Sequence, residues 1–182
     1  MRSLAAALLL CLATAPLAKE VAGVQVPDTM TLGGAALALN GAGLRSKFFV
    51  KVYVGALYLT QRSGAAAAIL AADAPWLVTM TFKRDVDKAK ILEAFKEGFE
   101  HNSAADLPAL LPGLARLDAA MKDLKEGDVF TISYQPGVGS TVTPPGGAPV
   151  VVEGRTFATA LLRNWLGDRP ADSGLKAGML GG

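Results

Sequence analysis

The chain has one cysteine, Cys11, and one histidine, His101. That scarcity removes whole chemistries. Disulfide frameworks, thiolate metal sites and Cys-His nucleophilic centres each need more than this sequence holds. His101 ends a charged stretch, next to Asn102, with Ser103 and Asp106 nearby. It reads as a structural or solvent-exposed residue; a Ser-His-Asp centre has little else to rest on. No D-x-D-x-D-G loop, H-E-x-x-H pair or G-x-x-x-x-G-K-[ST] loop occurs. Gly41-Ala42-Gly43 and Gly137-Val138-Gly139 lack the third glycine and the following helix of a dinucleotide fingerprint. No metal or nucleotide cofactor is expected. Charge is also sparse: charged residues make up 19% of the chain and the net charge is +2. That is not the basic footprint of a nucleic-acid binder, so no nucleic-acid partner is expected.

What is present is apolar. The hydrophobic fraction is 51%, enough for a sizeable core and too high for wholesale disorder. The chain opens with MRSLAAALLLCLATAPLA, a positive start at Arg2, a brief apolar run and then small residues. This reads as a secretory leader over residues 1–18, too short for a membrane span, with Cys11 inside it. Leu10, just before Cys11, is too large for the usual lipoprotein cleavage site. No later apolar run is long enough to cross a bilayer. A single domain over residues 19–182, periplasmic or secreted, is therefore expected.

The rest of the chain is organised around NGAGLRSKFFVKVYVGALYLT, residues 40–60. Asn40 to Gly43 reads as a tight, glycine-rich turn. Phe48 to Leu59 reads as the longest strand. Parity places Phe48, Val50, Val52, Val54, Ala56 and Tyr58 on one face, taken as the core face. Phe49, Lys51, Tyr53, Gly55, Leu57 and Leu59 fall on the other, with a gap at Gly55. Arg45 falls on the Tyr53 face. It either caps the strand and pairs with a surface carboxylate, or, with the phenol and the gap, receives a small apolar acid.

Around this strand the pattern is mixed. Val21 to Pro27 reads as a short edge strand, and Gly33-Gly34 as a hairpin turn between Thr29–Leu32 and the strand after it. The alanine run from Gly64 to Ala72 favours a short helix. Trp76, Val78, Met80 and Phe82 alternate along a strand, with Leu77 the exception. Asp87 can cap a helix running to Asn102, whose apolar stripe is Ile91, Ala94, Phe95, Gly98 and Phe99. Ser103 to Asp106 reads as a capping box before a helix interrupted near Pro112. Leu114, Leu117, Met121 and Leu124 form its core stripe. Strands at 129–134, 137–143 and 150–152 follow, then helices over 155–165 and 172–180. Strands first, two central helices, a three-strand return and closing helices predict an α+β fold, an antiparallel sheet with its helices on one side.

The arginine turn with its strand, and FATALLRNWLGDRPADSGLKAGML near the C-terminus, resemble the chalcone isomerase-like family over about Val24 to Leu180. The resemblance implies an open-faced β-sandwich, a large antiparallel sheet covered by helices. In the enzymes of that family the arginine that aligns with Arg45 stabilises negative charge as a phenolate adds to a double bond, a task that suits a permanently charged, forked donor. The other catalytic positions fall at Tyr53, Ile91, Gly98, Asn164 and Trp165, whose residue types differ from the catalytic set. Fatty-acid-binding members hold a carboxylate with an arginine and a strand tyrosine, and Arg45 and Tyr53 match that pair. The resemblance thus implies a non-catalytic protein for a small apolar acid, bound by Arg45 and Tyr53. Phe49, Leu57, Phe95, Phe99, Asn164 and Trp165 are candidate lining residues, each of which could equally be ordinary core. The alternative is an intramolecular lyase or isomerase, with Arg45 as electrophile and Tyr53 as proton donor.

Overall fold

Strands rich in Val, Thr and aromatic residues build one continuous meander, with two-residue turns at Gly33-Gly34 and Phe48-Phe49 and longer or helical connections later in the sheet. The computed structural model describes residues 18–182. The leader expected over 1–18 lies outside these residues except for Ala18. The strands are β1 (Ala18–Val21), β2 (Val24–Pro27), β3 (Thr29–Leu32), β4 (Ala35–Lys47), β5 (Val50–Leu59), β6 (Trp76–Phe82), β7 (Val129–Gln135), β8 (Gly139–Thr143) and β9 (Val150–Val152). The helices are α1 (Ala66–Ala71), α2 (Lys88–Asn102), α3 (Leu107–Ala120), α4 (Arg155–Leu166) and α5 (Ser173–Met179). Strands β3 to β9 form a 7-stranded sheet in chain order, every pair antiparallel. The edge strand expected at Val21–Pro27 is instead a separate hairpin, β1–β2, which turns at Ala22-Gly23.

The helices bury one stripe each on a single face of the sheet. Phe157, Leu161, Leu162 and Trp165 of α4 are all buried there with Phe95 and Phe99 of α2. Side chains of this size contribute about 1.5–3 kcal/mol each when fully buried. The main core therefore lies on the face of Tyr53, Leu57 and Leu59. Val54, Ala56 and Tyr58, expected to point into the core, point into a second, smaller one with Val26, Leu37 and Leu39. Leu77, the exception in its strand, belongs to that second core. Both faces of β5 are apolar because both are covered here, which parity alone could not rank.

Asn40 to Gly43 is not a turn. β4 runs straight through it, and the small residues serve packing. A Cβ on Gly41 would collide with the Gly178 carbonyl, and one on Gly43 would lie 3.1 Å from Leu175 Cα. A Cβ on Gly178 would lie 2.7 Å from the Ala42 carbonyl. Helix α5 thus rests directly on β4, and the glycines are what permits that approach. Asn40 is left unpaired where the register shifts. Its amide ties α5 to the loop before α1, donating to Met179 O at 2.8 Å and accepting from Ser63 N at 2.7 Å.

The real turn is at Phe48-Phe49. Lys47 pairs with Val50, so these two residues form the whole loop, with φ of 50° and 66°. Positive φ at both central positions matches the right-handed strand twist, and Asn-Gly is the usual solution. A bulky side chain there costs roughly 1–2 kcal/mol. The strand expected to start at Phe48 starts two residues later. Two further expectations fail at α3. No side-chain cap forms at Ser103, where a short 3-10 turn precedes the helix. The helix also runs unbroken through Pro112, with Met121 and Leu124 beyond its end. Asp87 stands at the start of α2 without capping it; Asp123 accepts from Lys88 N instead, at 2.8 Å.

Candidate functional site

Arg45 and Tyr53 are direct cross-strand partners on β4 and β5, so their side chains share one face. The Arg45 guanidinium carbon lies 5.6 Å from the centre of the Tyr53 ring, within cation–π range. Among the described residues no carboxylate forms an ion pair with Arg45. Its Nε is buried without a hydrogen-bond partner. The expectation of a surface ion pair is thus not met.

The pair lines a cavity of about 450 Å³ between the sheet and helices α2 and α4. The walls are Val52, Tyr53, Met80 and Phe82 from the sheet, Ile91, Ala94 and Phe95 from α2, and Asn164 and Trp165 from α4. The exposed residues of its rim include Lys47, Phe48, Val50, Arg84, Asp85, Lys90, Glu93 and Glu97. Val52 reaches this wall through a bulge. Arg45 pairs with Tyr53 but Ser46 pairs with Lys51, leaving Val52 as the extra residue. The bulge turns it toward the Tyr53 side, against strict alternation.

Tyr53 is held on several sides. Its hydroxyl accepts a hydrogen bond from Trp165 Nε1 at 2.9 Å, and its ring lies 5.5 Å from that of Phe82. Phe95 meets Trp165 edge-on at 6.2 Å. Burial pushes the Tyr53 phenol above the usual tyrosine range, although Arg45 and the Trp165 bond pull the other way. The phenol is therefore neutral at ordinary pH, and its own proton is free to be donated. Asn164 is buried beside the cavity with neither amide atom hydrogen-bonded. It packs against the bare backbone of Gly98, where any side chain would collide with its amide.

The structure brings together Arg45, Tyr53, Phe95, Asn164 and Trp165. It leaves out three expected residues. Phe49 is fully exposed at the hairpin tip because it is a turn residue. Leu57 is fully buried in the main core, farther along β5. Phe99 lies a turn beyond Phe95 on α2 and packs edge-on against Phe157. Sequence reasoning missed Val52, Met80, Phe82 and Ile91 as walls. Met80 and Phe82 could have been found from alternation on β6, since Phe82 pairs with Tyr53. Val52 gave no signal. Among the described residues no group of three His, Cys, Asp or Glu is placed to hold a metal, and no helix is long and apolar enough to cross a membrane.

A curled antiparallel sheet, packed by helices over one face with a pocket between the layers, defines a mixed α+β half-barrel. The chain belongs to the chalcone isomerase-like family, whose model matches residues 18–181. Among solved structures it is similar in fold to a fatty-acid-binding protein of Arabidopsis thaliana. That match has a TM-score of 0.67 at 15% identity and covers 87% of this chain and 92% of the other. A search of curated protein sequences finds no significant match.

Proposed function

We propose that the protein binds a small apolar carboxylate, such as a fatty acid, with its head at Arg45 and Tyr53 and its tail along Met80, Phe82, Ile91 and Phe95. One observation carries this reading: a half-buried guanidinium without a carboxylate partner, stacked on a neutral phenol in a cavity whose buried walls are mostly apolar. A permanently charged donor in such surroundings favours an anion brought from outside. The phenol proton of Tyr53 supplies a second donor. The cavity volume falls in the range of small-molecule sites, roughly 300–1,000 Å³. A charge-assisted hydrogen bond contributes about 1.5–3 kcal/mol net, and each buried methylene about 0.8 kcal/mol. After association costs, this corresponds to micromolar affinity for a medium-chain acid. The fatty-acid-binding neighbour in fold points the same way. The leader-like residues 1–18 support a periplasmic or secreted setting.

A neutral phenol beside a guanidinium is also what a lyase or isomerase would use to protonate an enolate. Turnover of a chalcone by the parent, lost in Tyr53→Phe, would favour that second reading.

Native mass spectrometry of the parent beside Arg45→Ala, with organic extraction and titration of dodecanoate, tests the binding reading. A carboxylic acid held by the parent and absent from the variant supports it. A parent that is empty and takes up no added acid overturns it.

A further inference from the structure

The β4–β5 hairpin ends in two phenylalanines that the fold does not use. Phe48 is 85% exposed and Phe49 104%, and Val50 beside them is also exposed. Their rings touch no core, and their backbone adopts the left-handed conformation that bulky residues rarely take. Stability by itself favours Asn-Gly at these positions. The flanks are basic. Between Asp28 and Asp73 the chain has no acidic residue; Arg45, Lys47 and Lys51 stand near the tip, and Arg62 lies beyond the far end of β5. Lys83 and Arg84 follow β6 at the same end of the sheet, where Lys83 N donates to Val52 O. The neighbouring acids are engaged or set back. Asp85 is paired with Lys125 at 2.8 Å. Asp172 caps α5 and accepts from Ser46 N, while Glu93 and Glu97 lie across the cavity on α2.

We infer that this hairpin tip is a membrane-docking element that inserts Phe48 and Phe49 among the lipids of an anionic phospholipid bilayer. Aromatic rings at a protruding tip, ringed by lysines, are the chemistry of an interfacial anchor: the rings enter the headgroup boundary and the cations meet anionic lipid. Phe48 and Lys47 also stand at the mouth of the cavity. Docking therefore presents that mouth to the bilayer, where an apolar acid partitions. Docking stands on the tip alone; loading the cavity from the bilayer rests on the carboxylate-binding reading.

The test is co-sedimentation of the full protein with vesicles of phosphatidylethanolamine and phosphatidylglycerol, and with phosphatidylcholine vesicles. The variants are Phe49→Gly and Lys51→Glu, neither of which lines the cavity. Phe49→Gly suits the backbone at that position, so it should melt no lower than the parent. The parent is expected to sediment with anionic vesicles and much less with neutral ones. Phe49→Gly should lower the partition coefficient about tenfold, and Lys51→Glu about fivefold or more, with the remainder weakened by salt. A Phe49→Trp variant should shift its emission to the blue on the same vesicles. A parent left in the supernatant, or a Phe49→Gly variant that binds as the parent does, overturns the proposal. So does a parent dimer that Phe49→Gly converts to monomer without any vesicle binding, which would assign the tip to a second copy. Dodecanoate titrated in solution separates the two readings: absent affinity sinks the ligand while the vesicle result still decides the docking.

Discussion

β5 carries two buried tyrosines on opposite faces of the sheet, and only one of them stands at a site. Tyr58 lies among Leu37, Leu39, Val54 and Leu77, in the small core where the β1–β2 hairpin also contributes Val26. Tyr53 lies under helices that stand off from the sheet and leave a cavity, with Trp165 on its hydroxyl and Arg45 over its ring. Both phenols are pushed upward by burial, Tyr58 to about 12. Burial alone therefore does not distinguish a site. What distinguishes Tyr53 is a cation beside it and room for an acceptor, since the Tyr58 hydroxyl is likewise buried with its proton undonated.

The sharpest way to break the contrast is to remove the cation. Arg45→Ala should weaken binding of a medium-chain acid about 100-fold, the loss of one charge-assisted contact. Tyr58→Phe, titrated in parallel by calorimetry, should leave the affinity within about twofold. Equal losses in the two variants would mean that the whole fold, not one face, sets the affinity.

Alkaline pH acts on both faces through stability. An unfolded phenol titrates near 10, and both folded phenols titrate higher. Their contribution is complete below about pH 10 and fades as the pH rises through the folded values. For Tyr58 the shift corresponds to roughly 2–3 kcal/mol. Urea melts between pH 8 and 12 should show the parent losing stability steeply and Tyr58→Phe losing less. Coincident curves would show that Tyr58 titrates freely in the folded state.

Tyr53→Phe should cost about tenfold in affinity, as one neutral donor is lost, and about 1 kcal/mol of stability as Trp165 loses its acceptor. Thermal melts and calorimetry on the same samples read both. An unchanged affinity would assign the head group to Arg45 alone. The smallest effect is expected at the tip on this same open side, where Phe49→Gly should raise stability by about 1 kcal/mol by relieving the left-handed strain. A lower melting temperature would mean that the Phe49 ring packs in solution.

Much of this was legible from residue patterns. Trp76, Val78, Met80 and Phe82 alternate into the main core, and the Gly33-Gly34 hairpin lies between β3 and β4. The α2 stripe of Ile91, Phe95 and Phe99 is buried as its spacing implies. Arg45 and Tyr53 do share a face, but through cross-strand pairing around the Phe48-Phe49 turn and not through parity along one strand. The misses have particular causes. Phe48 and Phe49 favour strands by propensity, so nothing in their type announced a turn. The glycines at 41 and 43 looked like turn residues, because close packing and backbone freedom call for the same side chain. Val52 escaped because a bulge resets alternation and leaves no mark in composition.

By itself the sequence determined that the chain forms an antiparallel α+β domain and that thiol and metal chemistry are poorly supplied. Those properties follow from local periodicity and from the inventory of functional groups. Only the tertiary structure decided which face of β5 became the main core, that the hairpin tip is Phe48-Phe49, and which apolar side chains stop short of close packing. A cavity is a mismatch between two layers, set by how far α2 and α4 stand from the sheet. No single strand or helix carries that distance in its own residues.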